Sequence, residues 1–145
     1  VPPKMRARDA AFSNGQDPIA DDLERAAEYR VGESGDLVAW CPPVPPLSGT
    51  IRIAPRRRAA RLDAGSDYTA LAALLAEVVH RVDRAFGDPA LNLMLHQQRP
   101  GGSSGCHWHV DLVPRLGTLA GLELGTGVMA IAQAPAAMAE RLREA

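Results

Sequence analysis

The sequence predicts an α+β domain in which an antiparallel sheet carries one long helix, with a second helix at the C-terminus. Three observations support this fold class. Residues 67–86 carry apolar side chains at three- and four-residue spacing, the period of a helix with one buried face. Residues 107–113 alternate between two kinds of side chain, which is the period of a strand. A Gly- and Ser-rich loop at 99–105 joins this strand to another predicted strand, 91–97, so the two form a predicted hairpin.

Length and composition indicate a single globular core. The chain has 145 residues, of which 46% are hydrophobic and 23% charged. A net charge of −1 provides no basic field for nucleic acid, and no apolar run approaches the roughly 20 residues of a membrane span. The two cysteines, Cys41 and Cys106, exclude a four-thiolate zinc site and predict a reducing, cytoplasmic compartment.

The sequence predicts two regions along the chain. Residues 1–35 read as an N-terminal arm with a short helix over 18–30, capped by Asp17, and a turn at 32–36; residues 36–145 read as the folded domain. Strands are predicted at 37–41 and 50–54, on either side of the proline-rich run 42–46. That run could dock a peptide or connect the strands rigidly, and its position between two strands favours the connection.

The remaining elements follow from local signals. Ser66 or Asp67 caps the long helix and Gly87 ends it, with His80 on its exposed side. The basic run 56–58 either steers a phosphate-bearing ligand or is a solvated strand end. A Gly-punctuated loop is predicted at 118–127, a strand at 128–132 and a helix at 135–143.

The strand at 106–115 carries the residues most suited to chemistry. His107, His109 and Asp111 share one of its faces, and the other face is apolar. Same-face neighbours on a strand lie roughly 6.5–7 Å apart, so His109 and Asp111 can converge on one metal ion or one phosphate. The predicted hairpin places His96 beside them. The alternative interpretation is a solvated strand face that happens to contain histidines.

These residues resemble a known family. The segments Asn92-Leu93-Met94-Leu95-His96, 106–116, 120–127 and 139–143 are similar to the HIT (histidine-triad) superfamily. More narrowly, they resemble the C-terminal half of galactose-1-phosphate uridylyltransferase. The resemblance implies an antiparallel sheet with a packed helix, and nucleotidyl transfer on nucleotide-sugar substrates. The HIT resemblance implies His109 as the nucleophile and His107 as the first triad residue, whereas the C-terminal half of the transferase does not itself carry the nucleophile. The positions that it assigns to nucleotide or nucleotide-sugar binding are His96, Asn92, Gly102, Ser104 and Arg115.

Two departures from the family leave the activity open. Asp111 replaces the third histidine of the triad, and the His-Pro-His-Gly-Gln signature of the catalytic half is absent. An ionised carboxylate repels phosphate unless a cation lies beside it, whereas two imidazoles and a carboxylate suit zinc or iron. The resemblance accordingly implies a metal site at His96, His109 and Asp111.

Three functions follow from these observations. The first is a supporting uridylyltransferase-like domain that holds a metal or a ligand. The second is a stand-alone hydrolase or nucleotidyl transferase of the HIT type, with His109 as nucleophile. The third is a non-catalytic nucleotide-binding or assembly module. In each case the chain is expected to form a homodimer or to pair with a second HIT-like half.

Overall fold

The computed structural model describes residues 10, 12, 15–25, 27–101, 105–118 and 120–145. Their elements, in chain order, are α1 (Pro18–Glu24), β1 (Arg30–Ser34), β2 (Leu37–Trp40), β3 (Ile51–Pro55), α2 (Tyr68–Phe86), β4 (Leu91–His96), β5 (His109–Pro114), α3 (Gly121–Thr126) and α4 (Pro135–Glu144). Within these ranges, none of the helices combines the length and the hydropathy that a membrane crossing requires.

The five strands form one antiparallel sheet in the order β1-β2-β3-β5-β4. The histidine-bearing strand β5 is therefore internal, between β3 and β4, and β4 lies at the edge of the described sheet. The predicted α+β class, with a long helix and a C-terminal helix on an antiparallel sheet, is confirmed.

Helix α2 covers one face of the sheet as its apolar stripe predicts. Asp67 caps it by accepting a hydrogen bond from the Ala70 amide, and Gly87 ends it with a φ of 75°, which only glycine adopts at little cost. Leu74, Val78 and other stripe residues are buried against the sheet. Met138 and Leu142 of α4 complete the same core.

The N-terminal segment covers part of the opposite face. Phe12 and Ile19 are buried in a second apolar cluster with Val38, Trp40 and Ala54. The turn predicted at 32–36 is wrong for its first half, because residues 30–34 form β1, paired with β2, and only Gly35 and Asp36 turn. The domain boundary at residue 36 stays a prediction, and residues on both sides of it contact each other.

Three local predictions are corrected. The strand predicted from residue 106 begins at His109, because the Trp108 amide bonds to the Ala59 carbonyl of a loop and not to a neighbouring strand. Residues 121–126 of the predicted loop form α3, begun by a bond from the Ala120 amide to the Glu123 carboxylate. Residues 128–132 do not form the predicted strand.

Both cysteines are buried and unbonded to each other. Burial raises the pKa of the Cys41 thiol to about 12, so this side chain behaves as a small apolar group.

Candidate functional site

The candidate site lies on the face of the sheet opposite α2, where β4 and β5 pair. His96 and His109 are direct cross-strand partners in the antiparallel register. Their rings stack with centroids 4.6 Å apart and an interplanar angle of 21°. The predicted hairpin therefore brings His96 beside His109, as expected. The side chain of His96 is 26% exposed, whereas His109 is only 4% exposed. The stack therefore runs from the surface into the protein.

Asp111 is held by an arginine on the strand that pairs on its other side. Arg52 of β3 is its cross-strand partner, and the guanidinium binds both carboxylate oxygens, Nε to Oδ1 at 2.7 Å and Nη2 to Oδ2 at 3.0 Å. Burial by itself raises the pKa of Asp111. Hydrogen bonds from His96 and Arg52, together with the Arg52 charge, outweigh burial and hold this pKa well below its usual range.

His109 has a defined tautomer. Its Nδ1–H donates to the backbone carbonyl of His107 at 3.0 Å, which leaves the lone pair on Nε2. Burial, and then the positive charge of Arg52, lower the pKa of His109 to about 4. The ring is therefore neutral near pH 7, as both a nucleophile and a metal ligand require.

His107 does not join this cluster. It is fully buried, with Nε2–H donating to the Pro55 carbonyl at 2.8 Å and Nδ1 3.0 Å from the Asp17 carboxylate. Both partners are oxygen acceptors, and they hold the ring from its two sides. Asp17 also caps α1 by accepting from the amides of Ile19 and Ala20. This geometry favours a structural role for His107, and its catalytic role stays a prediction.

The comparisons with known proteins agree with this architecture. No protein-family profile matches the sequence, and no curated protein matches it. Among solved structures, a uridylyltransferase mutant superposes with a TM-score of 0.86 at 23% identity, covering 99% of this chain and 53% of that one. The chain has the histidine-triad fold of the uridylyltransferase type. An ADP-glucose phosphorylase from Arabidopsis thaliana with bound ADP-glucose gives a TM-score of 0.86 at 22% identity, covering 100% of this chain and 49% of that one.

This chain spans about half the length of those uridylyltransferase-type structures. Shorter histidine-triad proteins superpose less closely. A zinc-bound family member from Mycobacterium smegmatis gives a TM-score of 0.56 at 15% identity, covering 86% of this chain and 88% of that one. The histidine-triad fold is thus shared with both groups, and the larger enzymes contain it as one part.

The other sequence-predicted positions divide into three groups. Asn92 and Arg115 line a cavity of about 480 Å³ beside the end of β5. Val113, which also lines it, follows Asp111 on the same face of the strand, so this cavity begins next to the cluster of His96, His109 and Asp111. Gly102 and Ser104 lie outside the described residues. Arg56, Arg57 and Arg58 all form ion pairs, with Glu33, Asp36 and Asp17.

The residues that sequence reasoning missed are acidic and basic partners from distant segments. Arg52 lies on the polar side of the alternating strand 50–54, and this alternation was the available signal. Asp22 of α1 approaches Arg52 at 3.6 Å, and burial raises the pKa of Asp22 despite the arginine. Asp17 was expected only as a helix cap, yet it also bonds His107.

The predicted metal ligands come together in the structure. One ligand atom from each of His96, His109 and Asp111 lies within 4.8 Å of the others. Two imidazoles and a carboxylate are a donor set that zinc and iron accept, and the backbone bond of His109 Nδ1 is the usual support for a ligating histidine. The donor set therefore fits, except that Arg52 already binds both oxygens of Asp111.

Proposed function

We propose that this chain is a nucleotide-sugar-binding domain of the nucleotidyl-transfer type, with the phosphate held at the stacked His96 and His109. The observation that carries the proposal is the buried, neutral His109 with Nε2 as the nitrogen that bears the lone pair. The bound ADP-glucose of a superposable phosphorylase supports the ligand class.

The ion pair of Asp111 removes the sequence-based objection to phosphate. That objection supposed an ionised carboxylate without a cation beside it, which at short range repels phosphate by a few kcal/mol. In the structure Arg52 neutralises Asp111 at 2.7 and 3.0 Å. A phosphate beside His109 then meets a neutral pair and not a bare anion.

The chemistry available to His109 is attack on phosphorus. Its Nε2 lone pair would form a nitrogen–phosphorus bond while the bond from phosphorus to the leaving sugar-phosphate oxygen breaks, and the leaving oxygen keeps the electron pair. The positive charge that develops on the ring is stabilised by the Nδ1–H bond to the His107 carbonyl. If this step does not occur, the same geometry supports binding as a supporting half of a larger site.

The test compares wild-type protein with a variant at His109. We expect wild-type protein incubated with radiolabelled ADP-glucose or a UDP-sugar to bind the nucleotide sugar, and His109→Gln to weaken binding at least about tenfold, because one good contact to a phosphate contributes roughly 1.5–3 kcal/mol. A nucleotidyl adduct on histidine that disappears in the variant identifies a transferase.

Binding without an adduct identifies the supporting or non-catalytic role. The matched control is His80→Gln on the exposed side of α2, which leaves binding unchanged. Equal binding by wild type and His109→Gln contradicts the proposal.

A metal centre is the second candidate function, favoured by the convergence of His96, His109 and Asp111 within 4.8 Å. Zinc or iron bound there would supply a Lewis acid or a structural cross-link between β4 and β5. The zinc-bound histidine-triad neighbour supports this candidate. The ion pair of Arg52 with Asp111 weighs against a metal centre. Zinc titration of wild-type protein tests whether the cluster binds metal.

We propose that the partner is a second copy of this chain, added at β4. This strand is at the edge of the described sheet, and Leu93 and Leu95 are 55% and 43% exposed. An open strand edge with apolar side chains is a template for another strand, and the chain's length is about half that of its larger structural neighbours.

We expect wild-type protein to sediment with twice the 15.4 kDa mass of one chain, and Leu93→Lys/Leu95→Lys to sediment as a monomer. Charged side chains on an edge strand oppose pairing, which is the reason for this expectation. The control is Leu122→Lys/Leu124→Lys, which places the same charges on the exposed α3. A monomeric wild type at tens of micromolar, or an unchanged dimer in the β4 variant, excludes pairing at this edge.

A further inference from the structure

Arg52 contacts the candidate site, and its guanidinium is paired with carboxylates. Its Nε and Nη2 bind the two oxygens of Asp111, and its Nη1 lies 3.6 Å from the Asp22 carboxylate. The guanidinium fork matches the geometry of a carboxylate in a way that a single point charge cannot.

This ion pair lies in an environment where charges are poorly screened. The side chain of Asp111 is 3% exposed and that of Arg52 is 14% exposed. Separation of such a pair leaves each charge buried without its partner, so the pair resists opening. Asp22, whose side chain is 25% exposed, is too far from Arg52 for a direct hydrogen bond and offers only partial compensation.

A divalent cation at the His96–His109–Asp111 cluster has to share Asp111 with Arg52. A metal bonds a carboxylate oxygen at about 2.0–2.2 Å, which places it within a few ångströms of the guanidinium charge. Both oxygens of Asp111 already accept short hydrogen bonds from Arg52, and His96 Nε2 lies 3.5 Å from one of them. A phosphate meets the opposite situation, because it does not need the Asp111 carboxylate as a ligand and Arg52 cancels the charge of that carboxylate.

We propose that Arg52 is the specificity-determining residue of this site: by holding Asp111 it excludes a divalent cation from the histidine pair and leaves the pair for a phosphate group. The exclusion of metal stands on the ion pair alone. The preference for phosphate rests on the proposed function and is tested separately.

The experiment compares zinc binding by calorimetry and thermal shift in four proteins: wild type, Arg52→Met, Arg52→Met/Asp111→Asn and Arg56→Met. We expect wild type to bind zinc weakly, and Arg52→Met to bind one equivalent at least roughly tenfold more tightly, because the variant removes the positive charge that repels a dication beside Asp111. The double variant returns to weak binding because Asp111 no longer supplies a carboxylate. Arg56, paired with the exposed Glu33 at the end of the same strand, is the matched control and behaves as wild type.

A comparison of wild type with Asp111→Asn keeps the inference falsifiable if Arg52→Met fails to fold. One tight equivalent of zinc in wild type, lost in Asp111→Asn, overturns it, because Asp111 would then bind metal with Arg52 in place. Weak zinc binding that is the same in wild type and Asp111→Asn supports it.

A separate measurement with ADP-glucose and no metal tests the proposed function. A failure of wild-type protein to bind ADP-glucose refutes phosphate recognition without affecting the conclusion on zinc.

Discussion

Replacement of Asp111 by alanine is expected to destabilise the protein by about 3–5 kcal/mol, the usual cost of removing one partner of a buried ion pair. The variant leaves the Arg52 guanidinium, 14% exposed, without the carboxylate that it binds at 2.7 and 3.0 Å. Urea denaturation followed by circular dichroism measures the change in the free energy of unfolding.

Two further variants separate the ion pair from general surface electrostatics. Glu33→Ala removes the exposed partner of Arg56, and it is expected to cost less than about 1 kcal/mol. Arg52→Met/Asp111→Leu replaces both charges with apolar groups and is expected to recover most of the loss. A cost below 1 kcal/mol for Asp111→Ala would show that the pair is not a structural anchor of the sheet.

Acidification is expected to destabilise the protein between about pH 6.5 and pH 4 through His109. An unperturbed histidine has a pKa of about 6.5, whereas the folded value for His109 is about 4. In this interval the His109 ring is protonated in the unfolded chain but not in the folded protein. The contribution of His109 to stability is therefore complete above about pH 6.5 and decreases as the pH falls. At 1.36 kcal/mol per pKa unit, the loss is about 3 kcal/mol.

The readout is the difference in unfolding free energy between wild type and His109→Gln across this interval, in buffer with a chelator so that no metal contributes. The variant is expected to lose the His109 part of the pH dependence, while His80→Gln on the exposed face of α2 retains it. Parallel stability curves for wild type and His109→Gln would show that the buried ring titrates as in an unfolded chain. The Asp111 carboxyl, with its lowered pKa, contributes stability that is lost only below about pH 4.

Local periodicity was sufficient for most of the fold. The stripe of α2 and its glycine stop required no information from elsewhere in the chain, and the hairpin of β4 and β5 followed from two alternating segments and a short loop. The register that pairs His96 with His109 was left open by the sequence and comes from the structure. The capped, six-residue α3 was missed because its glycines favour a loop and it buries no side chain.

The contacts that control the site are long-range, and here the sequence was insufficient. Arg52 and Asp111 are 59 positions apart, and Asp17 and His107 are 90 positions apart. Alternation assigns each residue to a face of its strand, but it does not say which strand lies alongside. The position of β3 next to β5 therefore makes Asp111, which was expected only as a metal ligand, one half of an ion pair as well.

Helix α1 covers only part of the face of the sheet that carries His96 and His109. It shields the surface above Val38 and Ala54, whereas the exposed part of the histidine stack, His96, lies on the outermost strand. A nucleotide sugar bound at this stack, as we propose, would enter from the edge of the sheet, beside the strand where we propose that a second copy of the chain attaches. If both proposals hold, ligand binding and pairing of two copies use the same edge of the sheet, and we expect each to alter the rate of the other.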